Sequence, residues 1–378
     1  MKIHMVDVLA QHKKIQVEMD TAVREVLTSG AFINGPSVKQ FRANLAKFLD
    51  VPHAISCANG TDALQVALMA LDLAPGDEVI TPSFTYVATV EVISLLQLTP
   101  VFVEVDPLTF NLSPEHVEAA ITDRTKAIIP VHLFGQSADM EPIMKLAEKH
   151  NLYVVEDNAQ AIGSHYTFSD GHTLKTGTVG HIGCTSFYPS KNLGACGDGG
   201  AMFSRDDSLA DKIWVICNHG SKKKYYHDSI GVNSRLDSVQ AAILDIKLQH
   251  LDEYNNARRW AASHYDEILA ECEEVITPYR APYSHHVFHQ YTLRIKGGRQ
   301  KRDAMRTFLA EKNIPSMVYY PVPLHLQGAY TGYGYSEGQL PVSEQLTEEV
   351  LSLPMHSELT EEHIKHITDN VKEALAKA

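Results

Sequence analysis

From His53 to Ser186, short apolar runs of strand-like character alternate with stretches whose apolar residues recur at helical spacing, which leaves few architectures open to this chain. His53 to Ala58 reads as a strand. Asn59-Gly60-Thr61-Asp62 is a turn with N-cap chemistry, and Leu64, Ala67, Leu68 and Leu71 make the buried stripe of the next helix. The pattern repeats with a strand ending at Thr81-Pro82, a helix from about Tyr86 to Leu96, strands in PVFVEVD and KAIIPVHLFG, a helix from Met140 to His150, and a strand in LYVVED. Strands joined through helices pair in parallel and bury both faces. The expected fold class is therefore α/β, a mostly parallel sheet sandwiched by helices. Ligands of such sheets gather at the carboxyl ends of the strands, where Asn59 to Asp62, Ser83 to Tyr86, His132, Asp157 and Gln160 fall.

The flanks extend this frame. A helix over Ile15 to Leu27 stops at Ser29-Gly30, AFINGP follows as a loop, and Val38 to Leu49 forms a second amphipathic helix. Beyond about residue 250 the expected order is helix (Leu251 to Cys272), strand (Val287 to Ile295), helix (Arg302 to Lys312), strand (Ser316 to Tyr320) and helix (Thr360 to Ala376). With 378 residues, 44% of them hydrophobic, two domains are expected: a large one over 1–250 and a smaller C-terminal α/β domain over 251–378. The net charge of −13 argues against nucleic acid or an anionic membrane as partner, and Lys222-Lys223-Lys224 reads as a solvated loop. The N-terminus lacks a signal-peptide core and no apolar run is of bilayer length, so a cytoplasmic location is expected. Five cysteines, widely spaced and without a Cys-x-x-Cys pair, read as buried thiols. His285, His286 and His289 have no acid or cysteine in ligand spacing, so they read as loop and strand-start histidines and no metal is expected.

The stretch CTSFYPSKNLGACGDGGA places Lys191 between a strand-like run, Cys184 to Tyr188, and a tail whose glycines at 194, 197, 199 and 200 allow positive φ or close backbone approach. A lysine on such a loop can carry a Schiff base if burial lowers its pKa; taken alone, the solvated turn residue is the favoured reading, since most lysines lie at the surface. Asp157 is either a ligand residue or a helix cap. Arg235, before the stripe Val239, Ala242, Ile243 and Ile246, clamps an anion or pairs with Asp237. The glycines do not make G-x-G-x-x-G after a strand, which disfavours a nicotinamide dehydrogenase. A helix N-terminus for a phosphate, a strand-end Asp, a rim aromatic and a loop lysine together make the set that pyridoxal 5′-phosphate requires.

The motifs SCANGTDAL, TPSFTYVAT, VVEDNAQAIG, TSFYPSKNLGACGDGGA and GVNSRLDSVQAAIL, with YYPVPLHLQ and SLPMH near the C-terminus, resemble those of the DegT-type sugar-nucleotide aminotransferases, fold type I pyridoxal phosphate enzymes. The resemblance implies that Lys191 bonds the cofactor aldehyde and Asp157 pairs with its pyridinium nitrogen. It implies that Gln160 meets the cofactor's phenolic oxygen, Tyr86 stacks on its ring, and Gly60, Thr61 and Ser186 hold the phosphate. Asn233 would reach that phosphate, and Arg235 a substrate carboxylate, from the second subunit of a homodimer with shared active sites, while Tyr319 and Tyr320 line the sugar site. The implied reaction moves the amino group of L-glutamate to a keto sugar nucleotide, with pyridoxamine phosphate as the intermediate cofactor form. The wording is most similar to enzymes acting on UDP-2-acetamido-2-deoxy-3-oxo-glucuronic acid for O-antigen or related lipopolysaccharide synthesis. A dTDP-keto-6-deoxyhexose is the alternative substrate, and a non-catalytic pyridoxal phosphate-binding regulator the alternative of another class. Related sugar dehydratases replace the lysine with histidine, so Lys191 argues against that activity. Two departures stand out: several relatives carry His at Tyr319, and the excursion from Tyr166 to Gly180 is longer than in relatives.

Overall fold

The computed structural model describes residues 2–377. Helices α1 (Val8–Lys14), α2 (Gln16–Ser29) and α3 (Pro36–Leu49) lead the chain. Gly30 ends α2 in the left-handed conformation, φ 66°, which glycine adopts without a Cβ penalty. Pro36 opens α3, where its missing N–H costs nothing. The buried face of α3 (Val38, Phe41, Leu45, Leu49) packs with Phe187, Leu193 and Leu244. The apolar residues of α2 are only partly covered: Val26 is buried, whereas Val17 and Leu27 are exposed.

The alternating region builds β1 (His53–Cys57), α4 (Gly60–Ala70), β2 (Glu78–Pro82), α5 (Ala88–Leu95), β3 (Thr99–Val103), α6 (Pro114–Ala120), β4 (Thr125–Ile128), α7 (Met140–His150), β5 (Tyr153–Asp157), β6 (His165–Thr167), β7 (Thr173–Lys175), β8 (Ile182–Ser186) and β9 (Gly200–Ser204). Seven strands form one sheet in the order β1-β9-β8-β5-β4-β2-β3. Its pairs from β8 to β3 are parallel, while β9 runs antiparallel to β1 and β8. Strands β2 and β9 are buried at every position, as expected of strands covered on both faces. Strand β9 begins within the glycine tail that reads as loop in the sequence, at Gly200-Ala201. Helices α4, α5 and α8 (Asp207–Cys217) cover one side through Leu64, Val92 and Ile213. On another core, α9 (Ser238–Gln249) joins α3.

The excursion is the β6–β7 hairpin. Tyr166 donates to Asp139 at 2.5 Å, the Ser169 N–H and hydroxyl donate to Glu141, and Tyr166 bridges Ser284. The hairpin thereby ties the start of α7 to the segment that leads into the strand at Tyr291–Ile295.

After α10 (Leu251–Leu269) come β10 (Val275–Ile276), β11 (Tyr291–Ile295), α11 (Gly298–Glu311), α12 (Pro341–Glu349), β12 (Val350–Leu353) and α13 (Glu361–Lys377). The strands form an antiparallel sheet β10-β11-β12 over a core containing Tyr265, Tyr291, Leu293, Leu309 and Ile367. Three expectations are corrected. Of the five cysteines expected to be buried, Cys196 is exposed and Cys272 only partly covered. Val287 to Gln290 is not strand: Phe288 has φ 46°, and the Val287 N–H donates to Gly135 O while the Gln290 N–H donates to Phe134 O. Ser316 to Tyr320 is not a strand either, since Met317 alone bridges Ser352 and the chain then turns toward the cleft described below. No helix among the described residues is long and apolar enough to cross a membrane.

Candidate active site

Segments following β1, β2, β4, β5 and β8 surround a cleft of about 540 Å³. Lys191, Asp157, Gly60, Thr61, Tyr86, Gln160, Ser186, Tyr319 and Tyr320 all line it. Asn233 and Arg235 do not: Asn233 is exposed, pairing with Asn218, and Arg235 is half-buried, with no ion pair to Asp237 or any other acid among the described residues. A hollow of about 660 Å³ lined by Leu68, Leu98, Ile216 and Ile230 lies elsewhere, and both of its lysines pair with its own acids, Lys212 with Asp72 and Lys222 with Asp211. It gathers no buried acid and amine, so the smaller cleft is the chemical one.

Lys191 owes its place to the turn after β8. Its N–H donates to Tyr188 O at 2.8 Å, the Ala195 N–H to Phe187 O at 2.7 Å, and the Phe187 N–H to Gly199 O at 2.7 Å. The glycines of the tail serve close approach rather than positive φ: a Cβ on Gly200 would sit 2.3 Å from Asn59 O. Lys247, fully buried, donates to Gly194 O and braces the loop from α9. Burial lowers the Lys191 pKa from 10.5 to about 8, with the Asp157 charge opposing the shift. An amine so placed has an appreciable neutral, nucleophilic fraction near neutrality.

Asp157 ends β5 and is 5% exposed. Burial raises its pKa, opposed by the Thr89 hydroxyl, the Ala159 N–H and the charge of Lys191. Thr89 donates to Oδ2 at 2.8 Å and the Ala159 N–H to Oδ1 at 3.1 Å. The side chain of Gln160 is oriented by two bonds, accepting from the Phe134 N–H at 2.8 Å and donating to the Tyr320 hydroxyl at 3.1 Å. Tyr86 is half-exposed, its ring centroid 6.1 Å from that of Tyr320.

At the start of α4, Asn59 caps the helix by accepting from the Asp62 N–H at 2.8 Å. The Gly60 and Thr61 N–H groups lie in the first turn, which has no intrahelical partners to offer. A Cβ on Gly60 would lie 2.6 Å from Ser186 Cβ, so only glycine lets the helix end approach this serine. Two free N–H groups and a hydroxyl at the positive end of a helix suit a phosphate. Asp157 has hydroxyl and N–H donors but no ion-pair partner among the described residues, as a carboxylate reserved for a pyridinium would. With the Lys191 amine, this donor set fits pyridoxal phosphate.

Sequence reading missed Thr89, His289 and Gln290. Thr89 follows Thr85 by one helical turn, a spacing visible in TYVAT. His289 and Gln290 line the cleft from the segment before β11, and no local pattern announces that. His285 stacks on His165 and His286 on Phe288.

The model of the DegT/DnrJ/EryC1/StrS aminotransferase family matches residues 13–372. A pleiotropic regulatory protein of Geobacillus stearothermophilus is 48% identical, over 99% of this chain and 98% of that protein. The UDP-2-acetamido-2-deoxy-3-oxo-D-glucuronate aminotransferase of Pseudomonas aeruginosa is 44% identical, over 97% and 98%. A dTDP-3-amino-3,4,6-trideoxy-alpha-D-glucose transaminase of Streptomyces venezuelae is 41% identical, over 98% and 96%. The crystal structure of S. venezuelae DesV in complex with a ketimine intermediate superposes with a TM-score of 0.95 at 40% identity, covering 100% of this chain and 99% of that one.

Proposed function

Because this chain belongs to the DegT/DnrJ/EryC1/StrS aminotransferase family and is a pyridoxal phosphate-dependent sugar aminotransferase, we propose that it moves the amino group of L-glutamate to a UDP-linked 3-keto uronic acid. The product would serve surface polysaccharide or lipopolysaccharide biosynthesis in the cytoplasm. The observation that carries the reading is the meeting of Lys191 and Asp157 in one cleft with Gly60, Thr61 and Ser186. The choice of uronic acid leans on the likeness to the P. aeruginosa enzyme.

Pyridoxal phosphate supplies a carbonyl that exchanges amino groups and a ring that accepts the electron pair of an adjacent carbon. The Gly60 and Thr61 N–H groups and the Ser186 hydroxyl would bind its phosphate, and Tyr86 would cover the ring. Asp157 would keep the pyridine nitrogen protonated, and Gln160 would donate to the phenolic oxygen. Lys191 Nζ would take the proton from the amino acid Cα as general base and give it back as general acid. Tyr319 and Tyr320 flank the sugar. Residues 1–250 would form the cofactor-binding domain and 251–378 the smaller one.

The working unit is a homodimer with shared sites. Val17, Leu27, Phe32, Ile33 and Ile230 are large apolar side chains left open on one chain, the kind of surface a second copy covers. Asn233 and Arg235, outside the cleft of their own chain, would reach the partner's cleft, where Asn233 meets the phosphate and Arg235 the substrate carboxylate.

A panel of keto sugar nucleotides with glutamate, read by mass spectrometry, tests the substrate: amination of a UDP-3-keto-uronate is expected. If those fail while a dTDP-keto-hexose reacts, the second reading, favoured by the S. venezuelae relative, replaces it. If borohydride fixes the cofactor to Lys191 and no sugar is aminated, the reading as a non-catalytic pyridoxal phosphate-binding regulator takes precedence, in line with the regulatory role named for the G. stearothermophilus relative.

A further inference from the structure

Behind Lys191 runs a chain of buried polar groups whose donor directions can be deduced from one end. Asn255 Nδ2 donates to Ile162 O at 3.2 Å, so its Oδ1 faces the other way and accepts from Asn192 Nδ2 at 2.7 Å. Asn192 Nδ2 also donates to Val287 O at 3.1 Å. With its nitrogen spent on these two acceptors, Asn192 presents Oδ1 to His289 Nδ1, 3.3 Å away. An amide oxygen only accepts, so Nδ1 carries the proton and Nε2 is left with a lone pair. Asn255, Asn192 and His289 are 1%, 3% and 4% exposed, so water does not compete for these bonds.

His289 nonetheless lines the cleft beside Lys191, as does Gln290, whose Nε2 lies 3.5 Å from His289 Nε2. The charged groups acting on the ring are Lys191 from its loop and Arg258 from α10, whose guanidinium donates to His289 O. Both are cations, and with burial they hold the imidazole neutral. Lys191 itself faces one acid, Asp157.

We infer that His289 is a positioning residue for Lys191: its unprotonated Nε2, set by the Asn255–Asn192 relay and met in this structure only by the long Gln290 contact, accepts a hydrogen bond from the Lys191 ammonium whenever that lysine is not bonded to the cofactor. The lysine is then parked within the cleft between proton transfers instead of swinging away. Asn192, the residue after the lysine, makes the relay part of the same loop. This inference rests on the reading of Lys191 as the cofactor-bonding residue.

Two substitutions separate this role from a merely structural one. His289→Asn retains an N–H near the position of Nδ1 for Asn192 but nothing at Nε2. His289→Gln retains an acceptor near Nε2 and gives up the anchor. In holoenzyme charged with pyridoxamine phosphate, trace acetylation of Lys191 across pH, read by peptide mass spectrometry, gives the titration midpoint of the free amine. His289→Asn should lower that midpoint by about half a pH unit or more, because the ammonium loses an acceptor. The same substitution should slow single-turnover reaction with glutamate by about tenfold with KM little changed. His289→Gln should stay near wild type in both. Equal behaviour of His289→Asn and wild type, or greater damage in His289→Gln, overturns the inference. Nitrogen NMR of wild-type protein gives a check that needs no variant to function: a proton on His289 Nε2 instead of Nδ1 also overturns it. If borohydride fails to fix the cofactor to wild-type Lys191, it is the reading of Lys191 that falls.

Discussion

Thr89 on α5 reaches across to the end of β5 and donates its hydroxyl proton to Asp157 Oδ2 at 2.8 Å, the one side-chain donor to that carboxylate among the described residues. Thr85, one turn earlier, lies 3.3 Å from the Thr89 hydroxyl and completes a short hydroxyl chain beside the acid. Burial pushes the Asp157 pKa up and this bond pulls it down. The hydroxyl therefore helps keep the acid ionised where no bulk water can do so.

Thr89→Val should remove that support at nearly constant volume. A hydrogen bond to a charged group contributes roughly 1.5–3 kcal/mol, so the carboxyl pKa should rise further and ionised Asp157 should persist only at higher pH. The acidic limb of the pH–rate profile should move to higher pH, and pyridoxal phosphate should bind more weakly. An unmoved limb with unchanged cofactor affinity would count against the role given to Asp157.

Lys191 carries a stability consequence of its own. Its folded pKa is lowered from 10.5 to about 8; below the folded value both the folded and unfolded states hold the proton, and the folded state bears the full cost of the buried charge. That cost is on the order of 3 kcal/mol. Between the two values the folded state gives up its proton first, so the penalty fades as pH rises. In cofactor-free protein, Lys191→Met should be more stable than wild type at pH 7, and the advantage should vanish above about pH 10. Denaturant titrations at the two pH values check this, and a constant difference would contradict it.

Subunit mixing tests the shared site. Lys191→Ala and Arg235→Ala proteins should each be inactive as homodimers. In a statistical mixture half the dimers are hybrids, and each hybrid has one intact site if Arg235 acts across the interface, so activity should recover to about a quarter of wild type. Recovery should track hybrid formation measured by native mass spectrometry. Inactive hybrids would place Arg235 in the site of its own chain.

The alternation of strand and helix from His53 to Ser186, the helix start at Asn59 and the strand-end Asp157 were legible because each depends on local chemistry: side-chain period, cap residues and turn formers. So was Lys191 on its loop, and the motif resemblance attached a family to it. Strand β9 was not legible, because its Gly200-Ala201 start suits a tail as well as a strand, and only the approach of Asn59 makes the missing side chains necessary. The segment Val287 to Gln290 has strand composition yet is held irregular by bonds to the Phe134–Gly135 turn, a tertiary contact overriding propensity. The chain on its own thus determined the layered α/β design and the identity of its acid and amine. Folding alone decided that Thr89 meets Asp157, that His289 lines the same cleft as Lys191, and that Arg235 stays outside its own cleft, because those relationships arise between elements far apart in the chain, where periodicity carries no information.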